Sequence, residues 1–218
     1  SSKSTDGFGG HGFHRSSFYD DGSGFGGFGG FGGHGSAGFD QKGQDLNASV
    51  SVTFDEAAFG CDKRITLQDQ SGKAQTLEVH IPAGIDSGKS IRLRGKGMPG
   101  TGKGGAGDLL LKVTVQPKAG YERKGMDVYT TVSIPYTTAV FGGEARVHTL
   151  YGDVMCKIKE GTQSGSRIRL RGKGIVSMKN ANVHGDQYVT VQIQVPRHLN
   201  AEARQKLMEY KKAAAGGR

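Results

Sequence analysis

Cysteine is scarce in this sequence, and the residues present are not arranged for cross-linking or metal binding. The 218 residues include two cysteines, Cys61 and Cys156, which lie far apart and form no Cys-x-x-Cys pair. This pattern predicts neither a disulfide framework nor a zinc site. We therefore expect a protein of a reducing compartment, the cytoplasm.

Long apolar runs are missing as well. No stretch approaches the roughly 20 apolar residues that a membrane-spanning helix needs. The first residues, Ser-Ser-Lys-Ser-Thr-Asp, lack the apolar core of a signal peptide and do not begin with Met. We therefore expect no membrane segment, and we interpret the sequence as a fragment of a longer chain.

Aliphatic residues are absent from the first fifth of the chain. Residues 1–43 contain no Val, Ile or Leu, but they hold 15 of the 38 glycines and seven of the ten phenylalanines. Burial cannot offset the backbone entropy of such a segment, so a disordered Gly/Phe-rich linker is predicted over residues 1–43. It is either a passive tether or a set of phenylalanines that bind transiently to an apolar partner.

Charge is divided unequally between this segment and the rest. Residues 1–43 carry three cations and four aspartates, a net charge of 3 − 4 = −1, within a total of +9 for the chain. The remaining 175 residues therefore carry +10. A basic body of this kind is compatible with a nucleic-acid partner.

A seven-residue stretch, Ile-Arg-Leu-Arg-Gly-Lys-Gly, occurs twice, at residues 91–97 and 168–174. Each copy is followed by a Gly-Asp pair that opens a strand-like run ending in proline, at residues 107–117 and 185–196. The repeat predicts two tandem modules of similar layout. We place them at residues 44–117 and 118–196, followed by a C-terminal helix and tail at residues 197–218.

Alternation of apolar and polar residues predicts mostly β-structure. The predicted strands cover residues 45–54, 63–68, 76–81, 91–93, 109–115, 128–134, 144–149, 154–158, 168–170 and 188–195. Helical turns are predicted at residues 55–59 and 137–141. We therefore expect an all-β fold of two small sandwich or barrel modules, with Asn200 capping a helix from residue 201 to about residue 213.

No catalytic, metal or cofactor site is predicted. Residues 97–103 match the Gly-x-x-x-x-Gly-Lys half of a phosphate-binding loop, but Gly104 follows where Ser or Thr is needed, so we expect a flexible loop between strands. The histidines are scattered, and no nucleophile motif accompanies them. We therefore expect no enzymatic activity.

The repeated basic stretch has two interpretations. Each copy puts three cations into seven residues, which suggests contact with nucleic acid. The alternation of Ile91 and Leu93 with Arg92 and Arg94 is equally typical of a strand with one solvated face. A nucleoid or nucleic-acid binder, with weak affinity for DNA, is therefore the alternative function.

Beyond these patterns, the sequence resembles the C-terminal half of a DnaJ-type co-chaperone, a J-domain protein. The resemblance lies in the Gly/Phe segment and in five runs, at residues 52–60, 79–97, 107–118, 123–174 and 185–196. The chain contains no His-Pro-Asp tripeptide, which the J domain needs to stimulate the partner ATPase, so we expect no such stimulation. It also has no run of Cys-x-x-Cys-x-Gly-x-Gly units, and so it resembles the members without a zinc-binding region.

This resemblance implies a client-binding function. In the family, unfolded segments add as a strand to a sheet edge in an apolar groove of the first module. The residues that match the groove are Ala48, Val50, Ile65, Leu67 and Leu111, with Lys63 at its border. Each of them is equally compatible with a place in the core.

The resemblance also implies two protein partners. One is a 70-kDa heat-shock chaperone of the DnaK type, to which unfolded clients are delivered. The other is a second copy of the chain, because the C-terminal helix pairs two chains in the family. Ala203, Leu207 and Tyr210 form the apolar stripe that would mediate this homodimer, with docking of the helix on its own module as the alternative.

Overall fold

The fold was analysed in a computed structural model of the chain, which describes residues 39–68 and 72–217. Within these residues the chain forms eleven strands and three helices, which confirms the predicted all-β class with a C-terminal helix. The predicted linker lies outside the described residues except for its last part, residues 39–43.

The first repeat contributes five strands and one short helix. They are β1 (Leu46–Val52), α1 (Phe54–Phe59), β2 (Cys61–Gln68), β3 (Ala74–Ile81), β4 (Ser90–Leu93) and β5 (Leu109–Val115). β1, β5 and β4 form one sheet in that order, and β2 and β3 form a separate two-stranded sheet.

The second repeat follows the same plan with one extra strand and a final helix. Its elements are β6 (Glu122–Lys124), β7 (Asp127–Pro135), α2 (Tyr136–Phe141), β8 (Gly143–Thr149), β9 (Gly152–Ile158), β10 (Arg167–Leu170), β11 (Gln187–Gln194) and α3 (Ala201–Ala215). The larger sheet has the order β10-β11-β7-β6, and β8 pairs with β9.

The duplicated sequence gives a duplicated topology. In each repeat the first long strand pairs in parallel with the last, β1 with β5 and β7 with β11. The strand that contains the repeated stretch pairs antiparallel with the last strand, β4 with β5 and β10 with β11. Because parallel neighbours need a long crossover, the helix and hairpin between them supply that connection.

The first strand is shorter than the alternation suggests. A strand is predicted through Phe54, but β1 ends at Val52 and Phe54 begins α1. The reason is a capping box: the Thr53 hydroxyl accepts from the Glu56 amide at 3.1 Å, and the Glu56 carboxylate accepts from the Thr53 amide at 3.0 Å. These two bonds satisfy N-terminal amides that would otherwise be left unpaired.

The described chain falls into two compact units. Of the described residues, the first unit comprises 39–52, 65–68, 72–77 and 86–115, and the second comprises 53–64, 78–85 and 116–217. The second unit thus includes α1, whose Phe54 and Ala58 share a core cluster with Val128 and Ile175. The module boundaries given by the repeat stay predictions.

Each unit has its own buried side chains. In the first unit they include Val52, Leu109 and Val113. In the second unit, two further clusters lie beneath the sheet that contains β7 and β11. Their members are Ile134, Ala139, Ala145, Ile158 and Val191 in one, and Val147, Cys156 and Val189 in the other.

The first arginine of the repeated stretch is held by an aspartate in both repeats. The Nε atom of Arg92 donates to Asp108 at 2.7 Å, and Arg169 donates to Asp186 at 2.7 Å. The other oxygen of each carboxylate accepts from a turn amide, Gly95 in one repeat and Gly172 in the other, at 2.9 Å. We call this arrangement the Arg–Asp lock.

The aspartate of the lock also anchors the parallel strand pair. The Asp108 amide donates to the Asp45 carboxylate at 2.7 Å, and the Asp186 amide donates to Asp127 at 2.8 Å. The preceding glycine is needed for this close approach. A Cβ atom on Gly185 would clash with the carbonyl oxygen of Met126. The Gly-Asp pairs are therefore structural.

Both aspartates are more acidic than usual. The hydrogen bond from Gly95 and the Arg92 guanidinium lower the pKa of Asp108 below its ordinary 3.8. Gly172 and Arg169 lower the pKa of Asp186 in the same way. A carboxyl whose pKa is lower in the folded state stabilises the fold above its unfolded pKa, and this contribution is lost as the pH falls through the folded pKa.

We predict that replacing both aspartates by Asn will reduce the loss of folding stability that acidification causes. Wild type should lose stability as the pH falls below about 4, the ordinary range of aspartate titration. The variant Asp108→Asn with Asp186→Asn should be less stable at neutral pH and should lose less on acidification. Urea unfolding followed by circular dichroism at a series of pH values measures both. Glu144→Gln, at an exposed position, is the control, and parallel acid loss in wild type and the double variant would contradict the assignment.

Candidate functional site

Strand β1 presents a row of partly accessible apolar side chains. Ala48 and Val50 are half-buried on one face, whereas Asn47 and Ser49 on the other face are exposed. In the part of the chain that the structure describes, β1 pairs with β5 alone among the named strands. One edge of β1 is therefore available, next to apolar side chains.

Leu111 supports this row from the neighbouring strand. The parallel register places Leu111 of β5 opposite Ala48, and Val113 opposite Val50. Leu111 is fully buried, at 0% exposure, because β5 lies between β1 and β4. Its side chain is therefore part of the core, next to Ala48 on the same face of the sheet.

Strand β2 carries the other predicted groove residues on one face. Lys63, Ile65 and Leu67 alternate with exposed residues, and Leu67 is half-buried while Ile65 is only 6% exposed. Over residues 39–68 and 72–217, β2 pairs with β3 alone. Among the described strands, β2 too therefore has a neighbour on one edge alone.

Lys63 belongs to a different unit from the other predicted groove residues. It falls in the second unit, where its ammonium is 3.1 Å from the Glu56 carboxylate. The hydrogen bond from Thr53 lowers the pKa of Glu56, and Lys63 acts in the same direction. The five apolar residues all belong to the first unit, where Ala48 and Leu111 are direct neighbours.

Some of the cations in the two repeated stretches form hydrogen bonds that stabilise the fold. Arg92 and Arg169 are held in the Arg–Asp lock, which the alternation of charge and apolar residues could not reveal. Arg94 and Arg171 are exposed on the turns that follow. Because Arg92 and Arg169 already share their charge with a carboxylate, these strands attract an anionic partner less strongly than the sequence suggests.

The loop that partly matches a phosphate-binding pattern is held in place, contrary to the expected flexible connection. Thr101 forms a bridge with Gln41, and the Lys103 amide donates to the Asp40 carboxylate at 2.6 Å. The Gly104 amide also donates to the Thr101 carbonyl at 3.0 Å. The loop thus packs against the segment that leads into β1.

Helix α3 keeps its apolar stripe accessible. The Asn200 side chain accepts from the Ala203 amide at 2.7 Å, which confirms the predicted cap. Leu207 and Tyr210 are 46% and 53% exposed, and Ala203 is half-buried. None of the residues of α3 is buried.

One contact of α3 was not anticipated from the sequence. The hydroxyl of Tyr210 is 2.9 Å from that of Tyr136, at the start of α2, and the two rings meet edge to face. This hydrogen bond raises the pKa of Tyr136. The only sequence signal was the position of Tyr136, which matches Phe54 in the first repeat.

Among the described residues, no cluster of three or more His, Cys, Asp or Glu side chains could hold a metal ion. Burial raises the pKa of both cysteine thiols. No helix of residues 39–68 and 72–217 has the length and apolar character to cross a membrane.

Comparison with known proteins gives one consistent result. A family model described as the DnaJ C terminal domain matches residues 46–196. Chaperone protein DnaJ of Lachnospira eligens is 46% identical over 142 residues, which cover 65% of this chain and 38% of that protein. Chaperone protein DnaJ of Burkholderia pseudomallei strain 1710b is 45% identical over 145 residues, or 66% and 38% of the two chains. The chain thus spans about two fifths of the length of these relatives.

Proposed function

Since the chain belongs to the DnaJ C-terminal domain family, a family of chaperones and not of enzymes, we propose that it binds unfolded polypeptide segments without ATP. The observation that carries this proposal is the pair of strands, β1 and β2, that combine an unpaired edge with half-buried apolar side chains. An unfolded segment of any sequence can pair its main chain with such an edge and place apolar side chains beside those of the strand.

Binding would proceed by strand addition. The main-chain groups of an extended segment pair with the free groups of a strand edge, and alternate side chains enter apolar pockets. Ala48, Val50 and Leu67 are half-buried and would contact the client, while Ile65 and Leu111 are buried. Lys63, two positions before Ile65, would lie at the border of the site.

The small area available predicts weak and reversible binding. Covering the accessible half of a Val or Leu side chain contributes about 1 kcal/mol, because full burial contributes about 1.5–3 kcal/mol. Two such contacts and a smaller one from Ala48, together with exchanged hydrogen bonds of small net value, do not give a long-lived complex. Rapid release suits delivery of the client to a 70-kDa heat-shock chaperone of the DnaK type, which is the second part of the proposal.

We predict that Val50→Asp will weaken client binding about ten-fold or more, because a carboxylate would have to be desolvated beside the added strand. The matched control is Ser49→Asp, which places the same charge on the exposed face of the same strand. Fluorescence anisotropy with several unrelated unfolded peptides measures affinity, and light scattering measures suppression of aggregation.

A folded Val50→Asp protein that binds clients as well as Ser49→Asp does would place the site elsewhere. Failure of the unmodified chain to suppress aggregation of any client at equimolar amounts would refute the function itself. Circular dichroism of each variant separates loss of the site from loss of the fold.

We further propose that α3 pairs two copies of the chain. Its stripe of Ala203, Leu207 and Tyr210 remains accessible, and its contact with Tyr136 leaves about half of Tyr210 exposed. Burial of a Leu side chain contributes about 2 kcal/mol and a tyrosine ring a similar amount. These few side chains support a dimer of micromolar affinity.

We predict that Leu207→Asp will abolish this dimer, because the charge would be buried in the paired stripe. Gln205→Asp, elsewhere on the same helix, should leave it intact. Sedimentation equilibrium at tens of micromolar, an ordinary range for such affinities, reports the mass. A wild-type monomer under these conditions would show instead that α3 docks on its own module.

A further inference from the structure

The sheet that contains β7 and β11 carries a pair of stacked tyrosines. Tyr129 and Tyr188 lie directly opposite each other in the parallel register, and both side chains are half-buried. Their ring centroids are 5.2 Å apart and the ring planes differ by 20°. Two strands in the middle of a four-stranded sheet thus present a continuous aromatic surface.

Cations from both edge strands of this sheet reach the aromatic surface. The ammonium of Lys124, on β6, is 4.9 Å from the centre of the Tyr129 ring. The guanidinium of Arg167, on β10, is 5.6 Å from the same ring. Attraction between a cation and the ring face holds each side chain beside the tyrosine, so two positive charges lie on this face.

A shallow concavity of about 410 Å³ lies over the same strands. Its lining includes Tyr121, Lys124, Tyr129, Thr131, Arg167 and Thr190. The volume falls within the roughly 300–1,000 Å³ typical of small-ligand sites. Glu122 also lines it, and its carboxylate is 3.8 Å from the Lys124 ammonium. The two cations exceed the single carboxylate, which leaves the concavity positive.

We propose that this face of the second repeat binds single-stranded nucleic acid. Sheets that recognise unpaired strands combine aromatic rings, on which bases stack, with cations that contact the phosphates. The tyrosine pair supplies the rings, Lys124 and Arg167 supply the cations, and the hydroxyls of Thr131 and Thr190 can hydrogen-bond to sugars or base edges. Arg169 lies opposite Tyr188 in the antiparallel register, but it is ion-paired with Asp186 in the Arg–Asp lock, so it is not counted among the cations of this site.

The chemistry of the face favours an unpaired strand over other partners. An apolar client would need aliphatic pockets, whereas this lining consists of rings, hydroxyls and charged groups around one glycine. A duplex keeps its base faces stacked inside the helix, so it could not use the tyrosines. A single strand can stack its bases on the tyrosines and place its phosphates beside the two cations at the same time.

The test uses the whole chain and a fluorescein-labelled oligodeoxythymidine of about 15 nucleotides, the upper range of known single-strand sites on one module. Anisotropy titrations over a salt series give the affinity and its salt slope. Lys124→Gln and Arg167→Gln should each reduce the slope by about 0.7, the value for one phosphate on a single strand. Tyr188→Leu should lower affinity on the order of ten-fold without changing the slope.

Two further variants, a duplex and a polyanion competitor complete the test. Tyr188→Phe retains the ring and should bind like wild type, and Lys157→Gln, an exposed cation on β9, should leave the affinity and slope unchanged. A duplex of equal length should bind more weakly than the single strand. No binding at low salt, equal loss in Lys157→Gln and Lys124→Gln, or competition by polyglutamate as strong as that by unlabelled oligonucleotide would each overturn the proposal.

Discussion

Parallel pairing of the first and last strand of each repeat is the interaction on which both larger sheets depend. β1 and β5 pair over seven residues, and β7 and β11 over eight. The paired residues are separated by about 60 positions in sequence, for example Leu46 and Leu109, so closing this loop carries an entropic cost. The Gly-Asp pair offsets part of that cost at the start of the last strand, where its amide and carboxylate bind three segments at once.

The same lock limits what the basic strands can do. It pairs Arg92 and Arg169 with carboxylates, although the two arginine side chains are still 55% and 53% exposed. The surfaces for which we propose binding lie elsewhere. They are the unpaired edges of β1 and β2, the apolar stripe of α3, and the tyrosine face of the second repeat. The duplicated architecture thus carries surfaces that are not duplicates of each other, because the side chains outside the lock differ between the repeats.

The alternation of apolar and polar residues predicted most of the strands. It failed for features that depend on pairing with a neighbouring strand. Residues 109–115 are a strand with the predicted limits, because apolar residues dominate this central strand. β6 was missed, since Glu122–Lys124 is short and polar and becomes a strand only by pairing with β7. The six residues predicted for the groove lie on the strands β1, β2 and β5, yet the alternation could not tell the half-buried Val50 from the fully buried Leu111. That difference depends on whether a strand has one neighbour or two.

The sequence by itself determined the all-β class, the duplication and the capped final helix, because alternation, internal repetition and an N-cap residue act over short distances along the chain. Only the tertiary structure decided which arginines are paired with an aspartate. It also decided that α1 joins the core of the second unit and that Tyr129 and Tyr188 stack. Each of these outcomes joins residues far apart in sequence, and such contacts exist only once strand order and register have been set.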